Sequence, residues 1–99
     1  DTKLVTGYPA NHVVMARQSG DKWYVAGING KDENNTIKLD WSFLADGEYE
    51  VLIFKDGGSK EKPWTFEHIV STPADLFNQI ELLPRGGFVV ELRINKIKN

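Results

Sequence analysis

Short apolar, β-branched runs separated by turn-forming residues recur through this chain, and they constrain its fold more than any other feature. The clearest run is FVVELRIN, residues 88–95, in which positions 88, 90, 92 and 94 are all apolar. A repeat of two residues is typical of a strand with one buried face, whereas a helix needs a repeat near 3.6. The sequence therefore predicts a fold built from strands.

Turn residues divide the rest of the chain into similar pieces. HVVMAR (12–17) and KWYVAGIN (22–29) flank the turn QSGD and form a predicted hairpin, in which Gly20 can adopt a positive φ. Further strands are predicted at TIKLDW (36–41), EYEVLIFKD (48–56), WTFEHIVST (64–72, as an edge strand), around Ile80 and Leu82, and at 88–95. Residues 1–11 contribute a short edge pairing at most, and a helix over 74–83 is a weaker alternative.

Seven or eight short strands, with turn signals about every ten residues, predict an all-β antiparallel fold. Between a barrel and a two-sheet β-sandwich we expect the sandwich, because such domains commonly have about 100 residues. The chain has 99 residues, which is the length of one domain, so residues 1–99 are interpreted as a single β-sandwich domain.

Composition excludes several classes of partner. Asp plus Glu outnumber Lys plus Arg by 14 to 12, which argues against nucleic-acid binding because phosphate is held mainly by basic residues. No apolar run approaches the roughly 20 residues that span a bilayer, so no membrane partner is predicted. There is no cysteine, and the first residue is Asp1 rather than Met. We expect a processed protein or a piece of a longer one.

The second predicted strand, residues 22–29, is apolar or small on both of its faces. One face carries Trp23, Val25 and Gly27, and the other carries Tyr24, Ala26 and Ile28. A strand with one solvated face should alternate with polar residues, so this strand is predicted to be central or covered on its second face. The strand predicted over 48–56 is also apolar on both faces, with Leu52 and Phe54 on the face opposite Val51. Interface residues are predicted on these two strands, at Trp23, Tyr24, Ile28, Leu52 and Phe54.

No constellation for catalysis or metal binding stands out. Acidic residues are scattered over loops and strand exteriors, and no serine lies in a G-x-S-x-G context. The loop KDENN (31–35) offers oxygen donors suited to calcium but lacks the spacing of an EF-hand loop. His12 and His68 are isolated in the sequence. The prediction is no catalytic residue, no metal ligand and no cofactor in these 99 residues.

Sugar binding is the alternative function that the aromatic content supports. Three Trp and three Tyr could form a platform on which a pyranose ring stacks, with Trp23, Tyr24 and Trp64 as the candidates. The competing interpretation is that these side chains fill the core or pack against a neighbouring domain. We favour the second interpretation.

Residues 13–57 resemble the C-terminal β-sandwich domain of glycoside hydrolase family 97, a family of α-glucosidases and α-galactosidases. The resemblance lies in "AR" before a "GDKWYV" hairpin, in the turn "LDWSFLADGEY" and in the strand that ends in "DG". "LPRGGFVVEL" (83–92) is similar to the family's closing strand. The chain departs from the family after Asp56, at GGSKEKPWTFEHIVST (57–72).

The resemblance implies a non-catalytic accessory domain. In the family, hydrolysis takes place in a preceding (β/α)8 barrel that also holds a calcium ion, and the C-terminal domain packs beside that barrel and is associated with oligomer contacts. It further implies a bacterial parent enzyme in the periplasm or outside the cell. None of the family's catalytic positions falls within these residues, so the partners expected are the catalytic barrel of the same polypeptide and a second copy.

Overall fold

A computed structural model of the chain describes residues 2–8, 12–57, 61 and 63–95, with side chains from residue 14 onward. Over these residues the chain forms strands and turns without a helix, which confirms the all-β prediction. The strands are β1 (Thr2–Tyr8), β2 (His12–Ser19), β3 (Lys22–Asn29), β4 (Asn35–Lys38), β5 (Tyr49–Asp56), β6 (Trp64–Ser71), β7 (Gln79–Leu82) and β8 (Gly87–Ile94). The alternative helix over 74–83 is wrong, since residues 73–75 form a turn and β7 follows. No helix that could cross a membrane occurs in the part of the chain described.

The strands form two antiparallel sheets. The large sheet has the order β1-β2-β3-β8-β5-β6, and the small sheet pairs β4 with β7. The predicted hairpin is β2–β3, and Gly20 in its turn has a φ of 63°. A positive φ is strained for a residue with a Cβ, which is why glycine suits this position. β3 lies between β2 and β8, so the prediction of a central strand is confirmed.

The core lies between the two sheets and forms one cluster of buried side chains. Four strands of the large sheet, β2, β3, β5 and β8, contribute buried residues on their inner face, as alternation predicts. Those inner residues are Val14, Ala16, Val25, Tyr49, Val51, Ile53, Phe88, Val90 and Leu92. The small sheet and the segments beside it cover them with Ile37, Leu39, Trp41, Leu44, Leu76, Ile80 and Leu82.

Irregular segments replace strands over part of the covering layer. The strand predicted over 36–41 ends at Lys38, yet its alternation continues, since Leu39 and Trp41 are buried and Asp40 is exposed. Two hydrogen bonds hold this extension without a strand partner. Leu39 N donates to Asn78 O at 2.9 Å, and Trp41 Nε1 donates to Phe77 O at 2.6 Å. A buried indole that finds an acceptor in this way avoids the cost of an unpaired donor.

One fully buried polar side chain, Asn29, fixes the end of β3. Its Nδ2 donates to Glu33 O at 2.8 Å and to Leu83 O at 2.9 Å, while its Oδ1 accepts from Lys31 N at 3.0 Å. The side chain thus ties the loop after β3 to the loop before β8. Burial without these partners would be unfavourable, so the network explains a polar residue at an inward position.

Candidate interaction surface

The outer face of the large sheet carries an apolar surface that the fold does not cover. Strand register places one outward residue from each of five strands in a single row, Met15, Ala26, Val89, Phe54 and Phe66. In the next row lie Ile28 on β3 and Trp64 on β6. We call these seven residues the outer band.

The outer band is continuous and exposed. Residues opposite each other on neighbouring strands have Cβ atoms about 5 Å apart, so a row of apolar residues forms one surface. The rings of Phe54 and Phe66 lie 4.8 Å apart between centroids. Ile28 is 63% exposed, Phe66 58% and Trp64 57%. Contiguous exposed apolar patches on folded domains mark sites of protein interaction or ligand binding.

The other half of the outer face is charged. It carries Arg17, Lys22, Glu50, His68, Glu91 and Arg93. Lys22 Nζ lies 3.6 Å from Glu91 Oε2. Glu50 Oε1 lies 3.8 Å from Arg93 Nη2 and 3.9 Å from His68 Nε2. Tyr24 and Leu52 lie in the same row as Arg17, Glu91 and His68, next to the outer band. Exposed charge pairs of this kind keep a sheet face solvated, and among the described residues of this half only Val70, opposite Glu50, is a largely exposed apolar residue.

A shallow groove of about 540 Å³ crosses the outer band between Met15, Ile28, Trp64 and Val89. Its polar lining residues, Asp56 and Arg85, already have partners. Asp56 Oδ2 accepts from Gly87 N at 3.0 Å, and Arg85 Nε donates to Asp32 Oδ1 at 2.6 Å.

The ion pair between Arg85 and Asp32 also sets the charge at the rim of the groove. The hydrogen bond and the charge of the guanidinium lower the pKa of Asp32, and the same contact raises the pKa of Arg85. Both groups are therefore ionised and matched to each other at neutral pH. With its polar groups occupied, the groove suits an apolar protein surface better than a polar small molecule.

The structure separates the predicted interface residues. Tyr24, Ile28, Leu52 and Phe54 lie on the outer face, and two of them belong to the outer band. Trp23 lies on the inner side, where its ring meets Phe43 edge-on with centroids 4.8 Å apart. Its partly buried side chain packs against the core.

The three aromatics predicted to bind sugar do not share a surface. Trp23 and Tyr24 point to opposite faces of β3. Trp64 lies on β6, at the far side of β8 and β5 from β3 in the sheet order. Met15, Phe66 and Val89, in contrast, were not predicted as site residues although the structure brings them into the outer band. Their signal is the outward position on alternating strands, which becomes informative only once the register is known.

The described residues hold no group of three or more His, Cys, Asp and Glu side chains that could bind a metal ion. In the loop KDENN, Asp32 is paired with Arg85, and the carbonyl of Glu33 accepts from Asn29. The side chain of His12 lies outside the described residues. The family resemblance implies a calcium ion in the catalytic barrel. The described residues offer no set of donors for such an ion.

These features define a class: an all-β domain of two antiparallel sheets, with one face of the large sheet in its own core and an exposed apolar patch on the other. Comparison with known proteins gives the family. Residues 1–93 match the family described as "Glycosyl-hydrolase 97 C-terminal, oligomerisation", so the chain belongs to the C-terminal oligomerisation domains of glycoside hydrolase family 97.

Individual relatives agree with that family. The chain is 33% identical over 92 residues to a retaining alpha-galactosidase of Bacteroides thetaiotaomicron, covering 91% of this chain and 14% of that protein. A crystal structure of a beta-arabinopyranosidase matches with a TM-score of 0.72 and 32% identity, over 92% of this chain and 14% of the other. A family 97 enzyme from Pseudoalteromonas sp. strain K8, in complex with acarbose, has the same fold, with a TM-score of 0.76 and 22% identity over 95% of this chain and 16% of that chain.

Proposed function

We propose that this chain is a non-catalytic part of a larger glycoside hydrolase, in which the outer band packs on the catalytic (β/α)8 barrel of the same polypeptide. The single observation that carries the proposal is the outer band itself, a continuous apolar surface on an otherwise solvated sheet face. The chain also corresponds to 14% of the length of the retaining alpha-galactosidase. The parent would be an α-glucosidase or α-galactosidase that acts in the periplasm or outside the cell, with its calcium in the barrel.

The energetics of such a contact are favourable. Burying an aromatic or large aliphatic side chain contributes about 1.5–3 kcal/mol, and the outer band offers several side chains that are more than one third exposed. The hydrogen-bonded sheet beneath them is already ordered, so its backbone loses little conformational freedom on binding. The outer band can therefore hold a domain against a neighbouring surface without a covalent tie beyond the chain itself.

The first test measures activity. The 99-residue chain is assayed on aryl α-glucosides and aryl α-galactosides beside the full-length polypeptide that carries it. We expect no turnover by the chain alone and saturable hydrolysis by the full-length polypeptide. Reproducible, saturable hydrolysis by the chain alone would refute the non-catalytic role.

The second test addresses the outer band. In the full-length polypeptide, Ile28→Ser and Phe54→Ser are compared with Arg17→Ser, which lies on the charged half of the same face. Limited proteolysis should release the domain about tenfold faster in the two outer-band variants, because each loses apolar area at the contact. Release rates that match the Arg17→Ser control would contradict packing through the outer band.

Carbohydrate binding is the second candidate function, and the exposure of Trp64 favours it. An exposed indole on a sheet face can stack against a sugar ring. Titration of the chain with maltooligosaccharides, followed by tryptophan fluorescence, separates the two functions. A fluorescence change that disappears in Trp64→Ala and persists in Trp23→Ala would support a sugar site at Trp64, and a silent titration into the millimolar range would remove this function.

A further inference from the structure

β6 ends the large sheet, and no strand pairs with its outer side within the described residues. We propose that this free edge pairs with β6 of a second copy, antiparallel, about a two-fold axis perpendicular to the sheet. The inference rests on the oligomerisation role in the description of the matching family and adds the surface that carries it. The partner is a second copy because an antiparallel edge is complementary to itself under a two-fold axis.

The free backbone groups of β6 can be identified from its pairing with β5. Residues 49–56 pair with residues 71–64, and beyond the ladder Gly57 N donates to Pro63 O at 2.9 Å. Hydrogen-bonded and non-hydrogen-bonded pairs alternate along an antiparallel ladder. Odd-numbered residues of β6 therefore bond to β5, whereas the N–H and C=O groups of Trp64, Phe66, His68 and Val70 point to the free edge.

This edge lacks two of the devices that block pairing, a proline and a β-bulge. β6 is eight residues long, contains no proline, and pairs with β5 without a shift of register. Six of its eight side chains are exposed, on both faces of the strand, and Ile69 is the one that packs against the core. Long, regular and uncovered edges are those that accept another strand.

The opposite edge of the sheet is different. The pairing of β1 with β2 shifts register between Leu4 and Thr6, which marks a bulge or irregularity. Bulges disturb the regular spacing of edge donors and acceptors and so disfavour pairing with a further strand. Of the two edges, β6 is therefore the one suited to a second copy.

Charge selects the register of the pair. In two antiparallel registers the free N–H and C=O groups of the two copies face each other and seven residues of each β6 overlap. One places Glu67 opposite Glu67 of the second copy, and directly opposed like charges are destabilising. The other places His68 opposite its own counterpart, Phe66 opposite Val70 and Glu67 opposite Ile69. We assign the second register, because it keeps the same overlap and avoids the directly opposed glutamates.

The geometry leaves the outer band available. A two-fold axis perpendicular to the sheet keeps both outer faces on the same side, and the contact uses edge backbone groups. Each copy can thus present its outer band to its own polypeptide while the sheet continues through β6. The edge contact and the packing proposed for the outer band use different groups, backbone N–H and C=O in one and outward side chains in the other.

Cysteine cross-linking tests the register directly, since the chain has no cysteine of its own. Single-cysteine variants His68→Cys, Glu67→Cys, Phe66→Cys and Val70→Cys are oxidised under mild conditions. Only a residue that faces its own counterpart comes within disulfide range, where Cα atoms lie about 4.4–6.8 Å apart. We expect covalent dimer mainly from His68→Cys. Strongest cross-linking at Glu67 or Phe66 would overturn the register, and equally weak cross-linking at all four positions would overturn the pairing.

Removal of one free-edge donor tests the pairing itself. His68→Pro deletes an N–H that faces the edge and leaves the bonds to β5 intact, whereas His68→Ala keeps that N–H and removes the side chain. In sedimentation equilibrium the unmodified chain should form a reversible dimer. His68→Pro should weaken it about tenfold or more, because symmetry removes two hydrogen bonds, and His68→Ala should change it far less. A monomeric unmodified chain, or an unaffected His68→Pro dimer, would overturn the proposal.

Hydrogen exchange on the unmodified chain keeps the test independent of how His68→Pro folds. The amides of Phe66, His68 and Val70 should become protected as concentration rises, while those of Glu67 and Ile69, already bonded to β5, should change little. Equal behaviour of the two groups would contradict edge pairing. If Ile28→Ser or Phe54→Ser abolishes the dimer instead, the edge proposal fails while an oligomerisation role, through the outer band, stands.

Discussion

The two faces of the large sheet are both rich in apolar residues, but the apolar side chains are buried on the inner face and exposed on the outer one. On the inner face Val25, Val51 and Val90 are fully buried beneath the small sheet and its flanking segments. On the outer face Ile28, Trp64 and Phe66 are each more than half exposed. The same alternation thus serves two purposes: the inner residues stabilise the chain, and the outer ones are available for a contact that the chain alone does not make.

This difference predicts where a substitution acts. Loss of an inner side chain removes burial and leaves a cavity, so its cost appears in the free energy of unfolding of the chain alone. Loss of an outer side chain removes little burial, so its cost appears only when the face is covered. The same type of residue on the two faces therefore provides matched pairs for experiment.

The largest effect is expected for Phe88→Ala on the inner face. Phe88 is 2% exposed, and its truncation should lower the free energy of unfolding by about 3–5 kcal/mol. Phe54→Ala, on the outer face of β5, is the matched control and should cost about 1 kcal/mol or less, because Phe54 is 37% exposed. Urea unfolding followed by tryptophan fluorescence measures both values. Equal losses would show that the two faces do not differ as described.

A second pair tests the packing over Gly27. An added Cβ there would lie 2.5 Å from Cε1 of Phe88, whose ring covers the glycine, and 3.0 Å from Cγ2 of Val14. Both neighbours are buried, so Gly27→Ala should destabilise the chain by about 1–3 kcal/mol through overpacking. Ala26→Val adds volume on the exposed outer face and should be nearly neutral. A neutral Gly27→Ala variant would mean that the ring can move, against the tight inner packing described.

The third prediction concerns the polar member of the inner face. Asn29→Ala removes the three hydrogen bonds that tie two loops together and leaves a cavity at a fully buried position, so it should cost about 1–3 kcal/mol. Asn29→Asp is an instructive control, since it keeps the Oδ1 acceptor for Lys31 N but loses the donor to Glu33 O and Leu83 O. Chemical denaturation should rank Asn29→Ala and Asn29→Asp below the unmodified chain. An unchanged midpoint would exclude a structural role for this network.

The smallest effect is expected at the rim of the outer band. Because Arg85 lowers the pKa of Asp32, the folded state binds a proton there less readily than the unfolded chain does. The pair therefore stabilises the fold above the unfolded pKa of the carboxyl, and this contribution is lost as pH falls through the lower folded value. Asp32→Asn should lower the melting temperature slightly at neutral pH. The difference from the unmodified chain should vanish in strong acid, and a difference that grows on acidification would contradict the assignment.

Much of the fold could be predicted because alternation is a local property. The inward set of β8 and the hairpin at Gly20 follow from residue spacing and turn chemistry. The end of β4 at Lys38 could not be predicted, since residues 39–41 keep the alternation but bond to the irregular segment at Phe77 and Asn78. Strand spacing is therefore a better guide to burial than to strand ends.

The interaction surface could be predicted only in part. Ile28 and Phe54 were identified from strands that are apolar on both faces. Met15, Phe66 and Val89 join them only through the cross-strand register, which local sequence does not determine. Trp23 was predicted at the interface because its strand is apolar on both faces, whereas it lies on the inner side and packs against Phe43.

Hydroxyl-radical footprinting of the outer face tests the central claim most directly. The reactivities of Met15, Phe54, Phe66 and Trp64 are measured in the 99-residue chain and in the full-length polypeptide that carries it, with Tyr49 as a buried reference. We expect these outer-band residues to react readily in the chain alone and to be protected about tenfold in the full-length polypeptide. Equal reactivity in the two proteins would contradict the claim that another protein surface covers the outer band.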